Sequence, residues 1–302
     1  MLNLQQREHR QAWVLLAPMV IMMLLLTAWP LLRTLWLSFT DAALISTGTS
    51  PNYIGLDNYL YALTDPDFRD AFGRTLYFTI VSVAIEGVLG VLVALLLNQK
   101  FVGRNILRVL VILPWALPTI VNAMMWRLNF NPDYGSINAL LTQLGILDSY
   151  RSWLGSTDAA LNSVMFADIW KNYPLVTLLV LAALQSIQED LYEAARLDGA
   201  SAWRRFRAIT FPAIVAPLGV ALVLRTIDAF KVFDIIYVMT RGGPMDSTKT
   251  LSFFVYQESF SYMRAGSGAA YAILMALMCA VLIAIYLLML LRQRRRSTAH
   301  EA

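Results

Sequence analysis

The chain has 302 residues, of which 58% are hydrophobic and only 15% charged, with a net charge of +4. A soluble domain sits nearer half apolar and a quarter charged, so this composition favours a bilayer as solvent. The arginine excess lies between apolar runs and forms no nucleic-acid patch. The two histidines, His9 and His300, fall in polar tails, and the one cysteine, Cys279, falls in an apolar run. These placements exclude a disulfide framework and any His- or Cys-based metal or triad chemistry in the body of the chain.

Six apolar runs are long enough to cross a membrane. The first spans 13–37, too long for the apolar region of a signal peptide. The second spans 76–97. The third, 107–128, contains Pro114 and Pro118. The fourth, 161–184, contains Asp168, Lys171 and Pro174. The fifth spans 209–239 and the sixth 269–291. Continuous runs of this kind exclude a membrane β-barrel, whose strands alternate. The expected fold is all-α, a polytopic membrane protein with six transmembrane helices. A permease-like domain covers 13–291, with short tails at 1–12 and 292–302.

Lys and Arg set the orientation. Both tails, the loop with Lys100, Arg104 and Arg108, and the loop with Arg196, Arg204, Arg205 and Arg207 carry thirteen basic residues. The segments on the opposite side carry six: Arg69, Arg74, Arg151, Arg241, Lys249 and Arg264. Both termini are therefore expected in the cytoplasm. The segments 40–74 and 129–159 read as ordered extracytoplasmic loops with aromatic anchors; Asn131-Pro132-Asp133 marks a turn.

The cytoplasmic loop 186–212 is the most informative stretch. From about Gln188 to Leu197 it favours a short helix, with Glu189 and Asp190 in the first turn and Arg196 in the last. Ala194 and Ala195 are strong helix formers. Gly199 is a natural stop, and Ser201 is placed to cap a second short helix through Trp203, Phe206 and Ile209. Small residues flanked by charge suit a partner surface that approaches closely.

The spacing Glu193-Ala194-Ala195, three residues, Gly199, nine residues, Ile209, one residue, Phe211-Pro212 resembles the Glu-Ala-Ala loop of ABC importer permeases. The departure is Phe211 where the family usually has Leu. A second stretch, Phe233-Asp234 through Tyr237 to Arg241-Gly242-Gly243-Pro244 and Ser247-Thr248, is similar to sugar-importer permeases of the maltose-transporter type. It is closer to the MalF-like half, in its short six-span form. The Arg241-Gly-Gly-Pro stretch also reads as a plain turn, and the two readings are compatible. The resemblance implies an ABC type I importer permease fold in a bacterial or archaeal cytoplasmic (inner) membrane. It implies a coupling role for Glu193, Ala194, Ala195, Asp198 and Gly199, which would dock into an ATP-binding subunit.

No P-loop pattern occurs in the chain, so ATP and Mg are expected on two separate ATPase subunits and no cofactor on this chain. One Glu-Ala-Ala loop implies a second, MalG-like permease partner, and the family implies an extracytoplasmic solute-binding protein. The expected cargo is a mono- or disaccharide moved by alternating access, with no bond made or broken by this chain. A polyol or glycerol phosphate importer is the near alternative, and a secondary transporter or channel the more distant one. A polytopic enzyme would need a reactive cluster, for which Glu189 and Asp190 are the nearest pair.

Charged groups inside spans are costly and point to function. Arg225, Asp228, Lys231 and Asp234 recur every three residues and read as one helix stripe pairing in sequence. Asp168 and Lys171 are spaced to pair with each other. Glu86 stands in the second span. Sugars need planar hydrogen-bonding groups and an aromatic face, which makes Asn122, Trp126, Lys171, Asn172, Tyr173, Asp228 and Lys231 the candidate path. Pro114, Pro118 and Pro174 break helix hydrogen bonding near these residues.

Overall fold

The computed structural model describes residues 4–45 and 50–298. His300 and the side chains of His9, Arg7, Arg10, Arg292, Arg294, Arg295 and Arg296 lie outside the described residues. What is described is helix and loop, with a single antiparallel bridge between Thr40 and Tyr53. In chain order the helices are α1 (Leu4–Leu37), α2 (Asp57–Thr64), α3 (Pro66–Asn98), α4 (Arg104–Ala116), α5 (Thr119–Asn129), α6 (Ser136–Gln143) and α7 (Ala160–Gln185). They continue as α8 (Glu189–Leu197), α9 (Ala202–Arg205), α10 (Phe211–Phe230), α11 (Asp234–Met239), α12 (Leu251–Tyr256) and α13 (Ala265–Thr298). Five helical stretches among the described residues are long and apolar enough to cross a membrane, and the count is six where the bent pair α4 and α5 is taken as one broken span.

The helices differ from the apolar runs at several ends. Residues 4–12, expected as a tail, already belong to α1. The second crossing starts ten residues before its apolar run, at Pro66, whose missing N–H and fixed φ suit a first helical position. The third run is not one helix. Pro118 drives Leu117 into an extended conformation (φ −72°, ψ 138°), and α4 and α5 meet at 98°. The fifth run ends as a helix at Phe230, not at 239. The chain turns through Lys231–Phe233, and the Thr250 hydroxyl donates to the Val232 carbonyl at 3.1 Å, meeting an acceptor in the break.

The second short helix expected near Ser201 is not separate. α9 passes through a wide turn at Phe206–Thr210 directly into α10, so Ala202–Phe230 forms one crossing. Within that turn the Phe211 N–H donates to the Phe206 carbonyl, a five-residue step. The wider step accommodates Pro212, which has no N–H to continue a regular helix.

The chain forms two compact units. One draws on the chain up to Asp65 and on Val255–Leu277. Here the Asn52 backbone and side chain donate to the two Asp41 carboxylate oxygens at 2.7 and 2.9 Å, holding that carboxyl below its ordinary range. Asn58 donates to the carbonyls of Ser38 and Thr40, and the Tyr271 hydroxyl donates to Asp65 at 2.8 Å. The apolar window of α1 is unburied, as expected for a helix whose solvent is lipid or a partner helix.

The other unit, Pro66–Phe254 with the chain from Met278, holds the core. α3 and α7 pack closely along their length, and α10 packs on both. Contact is closest at Gly90, where an added Cβ would lie 2.6 Å from Cβ and Cγ1 of Val176. Val176, Val180, Leu184 and Ile214 fill the interior near that end. Phe78, Val164, Ile235 and Ile236 fill it near the other.

These contacts predict opposite signs for two glycines on α3. Gly90→Ala must displace Val176 at its Cβ, so it should destabilise by about 1–3 kcal/mol. Gly87→Ala meets only the flexible Leu222 Cδ2 at 3.1 Å and gains helix propensity, so it should be neutral or stabilising. Thermal unfolding of the two variants in one detergent gives the order; a lower midpoint for Gly87→Ala would refute it.

Candidate functional site

Two regions carry the candidate residues. The first is the loop after α7. α8 holds Glu189 and Asp190 in its first turn and Arg196 in its last, where they complement the helix dipole. Lys100 Nζ sits 2.8 Å from Glu189 and, by hydrogen bond and charge, holds that carboxyl below its ordinary value. The helix closes with the Ala200 N–H on the Ala195 carbonyl and the Gly199 N–H on that of Arg196. Gly199 takes φ +72°, which a side chain would resist. The Ser201 hydroxyl then accepts from the Arg204 N–H at 3.3 Å, capping the next helix as its position predicts.

α8 is fixed to the crossing that begins at Ala202. Tyr192 and Thr210 share a hydroxyl–hydroxyl bond at 2.8 Å, and Arg205 donates to the Ala200 carbonyl. The outer face of α8 is open: no residue of the helix is buried, and Glu193, Ala194, Asp198 and Gly199 are exposed. Leu197 is 90% exposed and Trp203 69%. A charged helix with uncovered apolar side chains at its end has the character of a protein-docking surface.

The second region is buried. Arg225 on α10 donates through Nε and Nη2 to both oxygens of Glu86 on α3, at 2.6 and 3.0 Å. Its Nη2 also reaches Asp168 on α7 at 3.1 Å, and Asn172 donates to the other Asp168 oxygen at 2.8 Å. Arg225, Glu86, Asp168 and Asn172 are all buried. From this centre the charges lead outward. Asp228 lies 4.0 Å from Arg225 and 3.3 Å from Lys231, and both outer groups are more than half exposed. Lys171 stands within electrostatic reach of Asp168, Arg225 and Asp228.

This arrangement corrects two expectations. The four-charge stripe does not run along one helix, because α10 stops at Phe230 and Asp234 begins α11. Arg225–Asp228 and Asp228–Lys231 do pair three residues apart, at 4.0 and 3.3 Å, while Arg225 and Asp168 find their closer ionic partners across helices. The sequence signal for this was Glu86, a carboxylate alone in an apolar run that requires a cation from another span.

The remaining path candidates are less open than their side chains suggest. Asn122 and Trp126 on α5 are buried. Asn122 donates to the Ala167 carbonyl, beside Asp168, but its Oδ1 and the Trp126 Nε1 have no hydrogen-bond partner. The Trp126 ring lies edge-on to Phe166 and Trp170. Tyr173 is partly exposed, one turn before Thr177, whose hydroxyl donates to its carbonyl. Asp228, Lys231 and Lys171 are thus brought together at an accessible edge, and Asn172 joins the buried centre.

The model of the family described as "binding-protein-dependent transport system inner membrane component" matches residues 87–296. The chain belongs to that family. It is 41% identical over 276 residues to the trehalose/maltose transport system permease protein MalF of Thermococcus litoralis, covering 90% of each chain. It is 36% identical to the sulfoquinovosyl glycerol transport system permease protein SmoG of Agrobacterium fabrum, covering 91% of this chain and 89% of the relative. It is 37% identical to the trehalose transport system permease protein SugA of Mycobacterium tuberculosis, with coverages of 93% and 88%. Among solved structures, a chain of a bacterial ABC transporter for the acidic polysaccharide alginate superposes with a TM-score of 0.82 at 23% identity, covering 96% and 99%. The fold is that of an ABC importer permease, and the chain is a multi-pass membrane component of such a system.

Arg225→Ala would strand two buried carboxylates and should destabilise the protein by about 3–5 kcal/mol. Replacing all three charges, as in Arg225→Met with Glu86→Gln and Asp168→Asn, should cost less than the single change. Unfolding midpoints in detergent compare the two. A single variant more stable than the triple would remove the cluster from its role.

Proposed function

We propose that this chain is the transmembrane permease subunit of an ATP-driven, binding-protein-dependent importer, and that its cargo is a mono- or disaccharide. The observation that carries the reading is the exposed α8 surface, stopped at Gly199 and tied through Tyr192 to Thr210 on the following crossing. ATP and Mg act on two separate ATP-binding subunits, one of which meets Glu193, Ala194, Ala195, Asp198 and Gly199. A second permease of the MalG-like kind completes the path. A solute-binding protein delivers the cargo on the other side of the membrane. Both termini lie in the cytoplasm, as the distribution of Lys and Arg favours.

A sugar suits the second region. The buried centre pairs Arg225 with Glu86 and Asp168, and the accessible edge sets Asp228 beside Lys171 and Lys231. Such an edge offers both donors and an acceptor to hydroxyl groups. Trehalose and maltose, named for the relatives, have that chemistry. Alternating access gives the buried Asn122 Oδ1 and Trp126 Nε1 a role, because a second conformation can present them to solute. Asp228, Lys231, Lys171 and Tyr173 form the edge met first.

Two measurements on the reconstituted transporter test the reading. Glu193→Lys or Gly199→Pro should lower solute-stimulated ATPase activity and uptake at least tenfold while the chain remains folded in the membrane. Normal coupled uptake in both would end the coupling assignment. Asp228→Ala, at an exposed position, should leave the unfolding midpoint within a degree or two and lower trehalose or maltose uptake several-fold. Unchanged uptake of both sugars would place the path elsewhere.

A further inference from the structure

A cavity lies where α5, α6 and the first turns of α7 meet the loop between α6 and α7, and its Phe130 and Phe166 walls back onto Trp126. Its volume is about 540 Å³. Phe130, Trp153 and Phe166 form aromatic walls, and Arg151, Asp158 and Asn162 stand among the lining residues. Arg151, Asp158 and Asn162 are exposed and form its rim, while Phe130 is buried.

The rim is built. Asn138, fully buried, donates to the Arg151 carbonyl at 3.0 Å. Its Oδ1 accepts from the Arg151 N–H at 3.3 Å and from the Trp153 indole at 2.8 Å. One asparagine thus fixes a cation and an aromatic wall together, and the Arg151 guanidinium lies 4.4 Å from the centre of the Trp153 ring. Across the opening Asn162 accepts from the Tyr77 hydroxyl and donates to the Asp158 carbonyl. No ion pair within 4 Å engages Arg151 or Asp158 among the described residues. Two opposite charges therefore stand on one rim without an ion-pair partner.

The depth is set by α7. Its 26 residues extend about 39 Å, longer than the hydrocarbon core of about 30 Å, which leaves helix length for headgroup-level turns beside the cavity. A ligand at this depth that carries an anion, a cation and an apolar body is a phospholipid with a zwitterionic headgroup. A sugar would leave the apolar floor unused and needs hydrogen-bonding groups around its whole edge.

We propose that this pocket seats a phospholipid with a primary ammonium group, of the phosphatidylethanolamine class, in the leaflet away from the Glu-Ala-Ala loop. Arg151 takes the phosphate, in the charge-assisted geometry guanidinium groups favour. Asp158 takes the ammonium. Phe130, Trp153 and Phe166 cover the glycerol and the first methylenes. The inference goes beyond the transport reading and stands or falls separately from it.

The test uses the assembled transporter in nanodiscs of equimolar phosphatidylethanolamine and phosphatidylglycerol, with retained lipid counted by native mass spectrometry. The wild type should keep one phosphatidylethanolamine in preference to phosphatidylglycerol. Arg151→Ala and Asp158→Asn should each reduce that retention at least fivefold, with Arg151→Lys keeping most of it and Arg241→Ala unchanged. If Arg151→Ala fails to fold, the headgroup preference of the wild type and its loss in Asp158→Asn decide. Equal retention of both lipids overturns the proposal. So does retention unaffected by either charge change, displacement of the lipid by millimolar trehalose, or absence of bound lipid because the second permease covers the pocket.

Discussion

The guanidinium of Arg225 is the constraint around which the core unit is arranged. A charge in a bilayer-spanning helix is tolerated only where other groups meet it, and Arg225 is met from two other crossings at once. The bidentate bond to Glu86 fixes α10 against α3 in rotation as well as in height, because the Nε–Nη2 edge of the guanidinium and both carboxylate oxygens must align. The bond to Asp168 adds α7. The small residues on α3 answer the same demand. Gly87 and Gly90 lie within about a turn of Glu86 and let Leu222 and Val176 approach, and close approach is what brings three charged side chains within hydrogen-bond distance.

The same helix that carries Arg225 begins at the exposed loop. Ala202–Phe230 is one helical stretch, with the exposed Trp203 near its start and Arg225 in the buried centre. About 33 Å of helix separate them. α8 does not hang from this helix on a free tether; Tyr192 holds Thr210 and Arg205 holds the Ala200 carbonyl. A displacement of α8 by a partner therefore acts on the base of α10. The wide turn at Phe206–Thr210 is the place where that helix departs from regular geometry, and it lies between the docking surface and the membrane-spanning part. Continuity of the backbone connects loop and centre mechanically and needs no chain of intermediate side chains.

Much of this was legible in the sequence. Apolar run length located the crossings because the bilayer imposes it, and Gly199 and Ser201 marked a helix stop and start because each residue has a specific backbone use there. The Glu193–Pro212 spacing pointed to the family. What escaped was everything set by the third dimension. Periodicity along one helix offered Asp228 as the partner of Arg225, while the stronger partners came from sequence positions 139 and 57 residues away. Hydropathy merged α10 with α11 because Val232, Phe233, Ile235 and Ile236 are as apolar as a span, although the backbone turns between them. It merged α4 with α5 for the same reason, and there the paired prolines were the available warning.

Backbone accounting separates structural polar residues from candidate functional ones. Helix breaks within or beside a membrane leave carbonyls that need donors, since lipid supplies none. Several polar side chains serve this need: Thr250 at Val232, Arg108 at Leu97 and Arg127 at Val238. Asn138 holds a loop by the same means. A group with such a bond already has a reason to be present. Asn122 has one at Ala167, yet its Oδ1 remains unmet, and the Trp126 Nε1 beside it is unmet as well. A buried acceptor and donor without partners cost free energy in this conformation. Both stand on α5, one step from the helix that supplies Asp168. A conformation that opens α5 from α7 would relieve both groups and bring the charged groups of the centre into the same space, which is where a hydroxyl-rich solute would find partners for each.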